Sequence, residues 1–416
     1  MSTTSSESLA CPVIQPGKLS RRGATAFHAF VLMSFLAASA APTPLYRVYQ
    51  QEWGFSATLL TVVFGAYALA LLTALLTAGR LSDHIGRRPV IALALLLQSV
   101  AMCGFLLASG PGWLVGARLL QGAATGLATA SVGAALLDLH RERGALINGI
   151  SPMIGMAAGA LGSTALLVHA PDPLHTVYAL LLALFLLALA LLWRVPETAT
   201  RRDGAWASLR PRITVPPQAR KALLDVTPAN VAVWMLGGFY LSLMPSLIVS
   251  ATQARSPWLG GFAVTALTLS GALAIALVAL RRVGTFRTLL SGEIALASGL
   301  LLILIAANAG YPALLLAGSI VAGLGFGATF LGAVRTVLPL AEPHERAGLM
   351  GAFYVESYLA NSVPTMIAGY MAQRAGLLAA ADAYGAIILA LAMAAIVLAV
   401  TRRRACLRQA AAGQPL

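Results

Sequence analysis

Gly79-Arg80-Leu81-Ser82-Asp83-His84-Ile85-Gly86-Arg87-Arg88 puts two glycines, one acid and three arginines into ten residues. Long apolar runs flank it, at about 56–78 and 89–109. An ionised side chain at the bilayer centre costs at least about 2.5 kcal/mol. Charge packed between two membrane-length apolar segments therefore belongs in a tight turn at a membrane face. The whole chain agrees: 59% of its 416 residues are hydrophobic and 10% are charged. Soluble domains carry about 25% charged residues, so this chain could not cover a soluble surface.

Apolar runs read against polar breaks predict twelve membrane-spanning helices. In the first half they are 24–46, 56–78, 89–109, 112–137, 144–168 and 175–194. In the second half they are 227–250, 257–280, 288–308, 311–338, 347–371 and 377–401. Helices are expected because lipid offers no partner to unpaired backbone groups. The alternating ten-residue segments of a membrane β-barrel do not occur.

Basic residues fix the expected orientation. Lys18, Arg21, Arg22, Arg80, Arg87, Arg88, Arg141, Arg143, the run from Arg194 to Lys221, Arg281, Arg282, Arg287, Arg346 and Arg402 to Arg408 fall on one side. Only Arg47, Arg255 and Arg374 fall on the other. Positive residues stay cytoplasmic, which places both termini and the charged decapeptide in the cytoplasm of a multi-pass plasma (inner) membrane protein. The formal net charge of +14 then reflects contact with anionic headgroups, not with nucleic acid. The expected organisation is a disordered cytoplasmic tail 1–23, a six-helix half 24–194, a cytoplasmic linker 195–226, a second half 227–401 and a tail 402–416. Cys11, Cys103 and Cys406 have neither disulfide nor metal-ligand spacing. Neither a metal nor a cofactor is expected, and the chain is expected to be monomeric.

The halves echo each other. Glu142-Arg143-Gly144-Ala145-Leu146 opens the fifth span, and Glu345-Arg346-Ala347-Gly348-Leu349 opens the eleventh. Pro152 and Pro364 lie inside those spans. A duplicated six-helix unit joined at the midpoint accounts for both.

The decapeptide resembles the loop signature of the major facilitator superfamily, G-x-L-x-D-R-x-G-R-[KR]. It matches at Gly79, Leu81, Asp83, Gly86, Arg87 and Arg88, and departs at His84. Arg118-Leu119-Leu120-Gln121-Gly122 resembles a second family motif, R-x-x-Q-G, associated with proton coupling. Val-Pro-Glu-Thr at 195–198 is similar to the end of the sixth helix in many facilitators. The resemblance implies an all-α membrane protein with twelve transmembrane helices in two pseudo-symmetric halves, which rock about a central site. It also implies a latch in which Asp83 pairs with basic residues and meets a helix N-terminus of the other half, with Gly79 and Gly86 allowing close approach. In the fifth span, Pro152 and Gly155 keep the spacing of the exporters' antiporter motif, G-x-x-x-G-P-x-x-G-G, although Ser151 and Met156 replace two glycines. Gly159 extends the run of small residues, which also suits tight helix packing.

Ionisable residues inside spans are read as functional. Arg118 is expected to face the protein interior or to snorkel to the headgroups. Glu356 reads as the deepest acid and a proton carrier, with Tyr354, Tyr358 and Asn361 as neighbours able to hydrogen-bond it. Glu293 reads as structural. The first span carries no acid, only His28, which favours neutral or anionic amphipathic substrates. Nothing resembles a nucleotide-binding loop, so a proton gradient is the expected drive. The expectation is proton-coupled efflux of small amphipathic molecules, with metabolite uptake by symport as the alternative. A polytopic membrane enzyme would need clustered His, Asp or Glu, and His169, Asp172 and His175 are the nearest approach to one.

Overall fold

The computed structural model describes residues 19–211, 213–253, 256–342 and 344–411, with side chains through residue 404. Cys11, Lys18, Arg212, Arg255 and the side chains of Cys406 and Arg408 lie outside the described residues, as does most of the expected N-terminal tail.

The first half comprises α1 (Arg21–Ala40), α2 (Pro42–Trp53), α3 (Ala57–Ala78), α4 (Leu81–Ile85), α5 (Arg87–Leu106), α6 (Pro111–Leu139), α7 (Arg141–His169) and α8 (Pro173–Leu192). A short α9 (Ala205–Ser208) lies in the linker. The second half comprises α10 (Pro217–Ser242), α11 (Met244–Thr252), α12 (Trp258–Leu280), α13 (Thr285–Ala309), α14 (Pro312–Val337), α15 (Arg346–Ala375) and α16 (Leu377–Ala411). Capping chemistry sets the starts. Ser20, Ser56 and Asp172 accept from the backbone N–H three residues on. Proline opens α2, α6, α8, α10, α11 and α14, where its missing N–H and fixed φ carry no penalty.

Among the described residues, eleven helices, with α1 and α2 joined as one, are long and apolar enough to cross a membrane. The twelfth crossing is α15, 30 residues long, or about 45 Å at 1.5 Å per residue. Its composition is more polar because Ser357, Asn361, Ser362 and Thr365 are buried against protein rather than turned to lipid.

Two boundaries differ from the sequence reading. The linker ends at Pro216, not at 226, because Pro217 starts α10 ten residues early. The segment from 402 is not a separate tail, because α16 runs on through Arg402, Arg403 and Arg404 to Ala411. Arg402 pairs with Asp225 of α10, and Arg403 lies 4.3 Å over the Phe286 ring. Those contacts hold the helix beyond the apolar stretch.

The first spans of both halves break at matching places, Ala41 before Pro42 and Leu243 before Pro245. The halves meet along two seams, α3 with α15 and α7 with α12. A two-fold axis that exchanges the halves, taking second span to second and fifth to fifth, maps one seam onto the other, as duplication requires. Polar contacts between the halves lie toward the face opposite the linker, here the far face. Thr43 Oγ1 donates to the Leu241 carbonyl at 2.8 Å, and Thr58 Oγ1 donates to Gln373 Oε1 at 2.6 Å. The rings of His169 and Trp258 sit 6.1 Å apart there. On the linker face, by contrast, a backbone contact to the second half runs through the linker, from Thr214 N–H to the Gly348 carbonyl.

Candidate functional site

The decapeptide folds as α4 and the first turn of α5. Asp83 and Arg87 are one turn apart and form an ion pair. Arg87 Nη1 also donates to Ser82 Oγ at 2.8 Å, and its Nε to Asp138 Oδ2 at the end of α6 at 3.1 Å. Thr198 Oγ1 donates to the same Asp138 oxygen. Glu197 completes the arrangement. Its carboxylate accepts the backbone N–H groups of Arg87 at 2.8 Å and Arg88 at 3.0 Å, and also those of Thr198 and Ala199. Here an anion sits on the positive end of α5, the arrangement that a helix dipole favours. Gly86 makes room for it: φ is +103°, and a Cβ there would lie 2.9 Å from Glu197 Oε2. Arg88 donates to the Trp193 carbonyl and lies over that ring. His84 is fixed by the linker, with Nδ1 2.9 Å from the Asp203 carbonyl and its own carbonyl accepting from Arg202 N–H.

In this arrangement of the halves Asp83 pairs with Arg87 of its own half, and the expected contact with a helix N-terminus of the other half is not made among the described residues. Glu197 is the acid on a helix N-terminus, and the helix belongs to the same half. Arg87, four residues on along the same face, captures Asp83 first. Asp83 is half exposed, whereas Arg87 is largely buried. An exposed pair contributes about 0.2–1 kcal/mol. Asp83→Asn is thus expected to leave insertion unchanged and to lower transport by about twofold to fivefold. Arg87→Ala strands Asp138 and Ser82 as well and is expected to cost more. Initial transport rates at matched membrane expression check the order, and equal rates in the two variants would overturn it.

Arg118 does not snorkel. It is fully buried in α6. Nε donates to Tyr46 Oη at 2.8 Å, and Nη1 donates to the Ser39 carbonyl at 2.9 Å and to Gln121 Oε1 at 2.7 Å. Nη2 donates to Tyr46 as well. Gln121 Nε2 in turn donates to the Ala38 carbonyl at 3.0 Å. The guanidinium lies over the rings of Tyr46 and Tyr67, at 5.5 and 5.2 Å. Among the described residues this buried cation is satisfied without any carboxylate, by neutral oxygens and π-faces.

Glu356 is half buried in α15, and its partners come from α10. Thr227 Oγ1 donates to Oε2 at 3.0 Å, and Asn230 Nδ2 donates to Oε1 at 3.2 Å and to Ser357 Oγ at 3.0 Å. The tyrosines expected beside it are elsewhere. Residues two apart on a helix point about 200° apart, so Tyr354 and Tyr358 leave α15 on the side away from Glu356. They meet α10 and, through it, α14: Tyr358 packs on Trp234 at 4.7 Å, and Trp234 on Phe330 at 6.2 Å. Asn361 falls on that second face, beside Gly237 and Gly238 of α10. The residues read as coupling or cavity residues thus fall into three groups: Arg118 with Gln121; Glu356 with Thr227 and Asn230; and Tyr354, Tyr358 and Asn361 on another face of α15.

Glu356 is also not the deepest acid. Glu293 of α13 is fully buried, and neither carboxyl oxygen has a hydrogen-bond partner among the described residues. In α7, Gly155 and Gly159 face α1 within its own half, where a Cβ would fall 2.3 Å from the Met33 carbonyl oxygen and 2.0 Å from that of Ala37. Pro152 lies inside α7.

The sequence model of the Major Facilitator Superfamily matches residues 27–363. The chain belongs to this superfamily. Among curated relatives of this facilitator, the multidrug resistance protein MdtL of Klebsiella pneumoniae is 31% identical over 172 residues, 38% of this chain and 43% of MdtL. An uncharacterized transporter of the superfamily from Mycobacterium tuberculosis is 34% identical over 115 residues, 27% of this chain and 18% of that protein. The matches therefore span less than half the length of these relatives. Among solved structures, the nucleoside transporter NupG superposes with a TM-score of 0.71 at 13% identity, covering 89% of this chain and 98% of that one. The human organic anion transporter MFSD10 superposes with a TM-score of 0.67 at 18% identity, covering 92% and 100%. At such identities the likeness establishes the fold.

As a member of this superfamily the chain is a multi-pass membrane protein. Asp172 and His175 are exposed, and Asp172 caps α8. Hydrogen bonding from His175 draws the Asp172 carboxyl below its ordinary range. Among the described residues no group of three or more metal-ligating side chains occurs. The sequence reading missed Tyr46, Thr227, Asn230, Trp234, Asp138 and the role of Glu197. Thr227, Asn230 and Trp234 recur at helical spacing in a mostly apolar span, a signal that was available.

Proposed function

We propose that this facilitator is a proton-coupled exporter of small amphipathic molecules, working by alternating access from an inner membrane with the linker face in the cytoplasm. Glu356 carries the reading. It is a carboxyl inside a span, held by the neutral Thr227 and Asn230, with no ion pair to it among the described residues. A proton can therefore come and go without breaking a salt bridge, and the change is felt on the α10–α15 contact. Because α15 also forms a seam with α3, that contact is well placed to bias the rocking of the halves. Two prolines interrupting the first span, and closure at the far face, suit a transporter waiting to be loaded from the linker side. The likeness to MdtL favours export over uptake.

The test is substrate-driven proton movement in proteoliposomes, screened over a library of small amphipathic compounds. Wild-type protein is expected to move protons against substrate. Glu356→Gln is expected to retain substrate exchange while losing proton movement. Proton movement persisting at the wild-type rate in Glu356→Gln would remove Glu356 from the coupling.

A further inference from the structure

Tyr354, Tyr358 and Asn361 recur at i, i+4 and i+7, so they share one face of α15. That face looks onto Trp234 of α10, with Phe326 and Phe330 of α14 on the far side. The rings make a bay: Trp234 and Tyr358 are 4.7 Å apart at 57°, and Tyr354 and Tyr358 are 6.2 Å apart at 40°. Two polar groups in the bay have nothing to bond. Asn361 is 7% exposed, yet its side-chain amide makes no hydrogen bond among the described residues. Trp234 Nε1 is buried and likewise without a partner. A buried N–H is ordinarily paired, so the orphaned Trp234 N–H, beside an Asn361 amide that is unengaged but still reaches solvent, points to a ligand that completes both.

The charges around the bay restrict that ligand. Glu356 is the acid nearest in sequence, and it leaves α15 on the opposite side, already engaged by Thr227 and Asn230. Arg118 stands behind Tyr67, with its donors turned to Tyr46, Ser39 and Gln121. Tyr67 packs against Tyr358. An organic cation in the bay would gain from the ring faces, but it would meet no carboxylate among the bay residues and would be repelled by Arg118 behind the Tyr67 ring. A carboxylate would meet neutral donors only and would lose its hydration without an ion pair. An uncharged planar ring stacks on Trp234 and Tyr358 at no such cost. A side-chain amide offers one acceptor and two donors, and it matches a carboxamide-like edge.

We propose that this bay takes an uncharged aromatic molecule with an adjacent donor and acceptor, and that Asn361 selects it. This rests on the transport reading above and narrows it to a substrate class.

The test is equilibrium binding to the purified full-length chain of three near-isosteric probes: naphthalene-2-carboxamide, its amidinium counterpart and naphthalene-2-carboxylate. The carboxamide is expected to bind about tenfold or more tightly than either charged probe. Asn361→Ala is expected to remove that preference while leaving the melting temperature within a few degrees. Trp234→Phe keeps a ring but loses the donor, and it is expected to weaken the carboxamide by a smaller factor. Tighter binding of either charged probe, carboxamide binding unmoved by Asn361→Ala, or no carboxamide binding at millimolar concentration by folded protein would each overturn the proposal. Proteoliposomes separate the two readings. Carboxamide binding without transport would sink the exporter reading alone, whereas proton-linked transport of cations only would sink the uncharged-substrate assignment alone.

Discussion

Arg118→Lys is expected to reduce transport by more than tenfold, although the charge is kept. The guanidinium is planar and donates in three directions at once, to Tyr46, Ser39 and Gln121. An ammonium is a compact point charge that does not reproduce this fork and does not stack on two rings. The lysine variant would leave Tyr46 Oη and the Ser39 carbonyl without donors in a water-free interior, at about 1–3 kcal/mol each. Ser39 and Tyr46 stand on either side of the break at Ala41, so the loss is felt where the first span bends. If about 1.5 kcal/mol or more of that loss falls on the rocking step, the rate drops by more than tenfold. Initial rates in proteoliposomes, read beside thermal melting, check this. A lysine variant with near-wild-type rates would show that Arg118 acts as a charge and not as a fork.

The second large effect is structural. Gly159→Ala is expected to abolish recovery of folded protein. The added methyl would lie 2.0 Å from the Ala37 carbonyl oxygen and 2.7 Å from the Ala37 Cα. Both neighbours are backbone, so no rotamer change relieves the clash and α1 must move away from α7. Overpacking ordinarily costs about 1–3 kcal/mol, and more where nothing yields. Helix propensity pulls the other way, since alanine is about 1 kcal/mol better than glycine in a helix. Gly162 provides the control. It is three residues on in the same helix, with nothing within 4 Å of its would-be Cβ. Gly162→Ala should therefore be neutral or slightly stabilising. Size-exclusion profiles from detergent extracts decide, and a well-folded Gly159→Ala would mean that the α1–α7 contact is looser than these distances indicate.

Much of the fold was legible because it follows from solvent. Apolar runs of membrane length and one-sided arginines both reflect what lipid excludes, and both can be counted along a chain. The decapeptide was legible for the same reason. The candidate site was legible only in part, because partners in a helical bundle are decided by helix phase and by which helix lies opposite. Glu356 was grouped with Tyr354 and Tyr358 by closeness in sequence, yet two residues along a helix is nearly the opposite side. Its actual partners, Thr227 and Asn230, stand more than a hundred residues away in α10. Glu293 was ranked below Glu356 by its place in the span, whereas packing against α14 buries it more completely. Glu197 was visible within Val-Pro-Glu-Thr, but no pattern of its own announces that its carboxylate reaches the start of α5.

The linker is pinned at both ends. Arg202 is tied to His84 in the first half, and Thr214 to Gly348 in the second. Between these anchors lie residues 203–213, about 36–40 Å of chain if pulled straight, and α9 takes up some of that length. The two halves are therefore yoked by a tether with a definite amount of slack. If the halves rock apart on that side as proposed, the pull of the chain falls first on these two backbone hydrogen bonds, each worth about 1 kcal/mol, so the tether loosens before it is drawn straight.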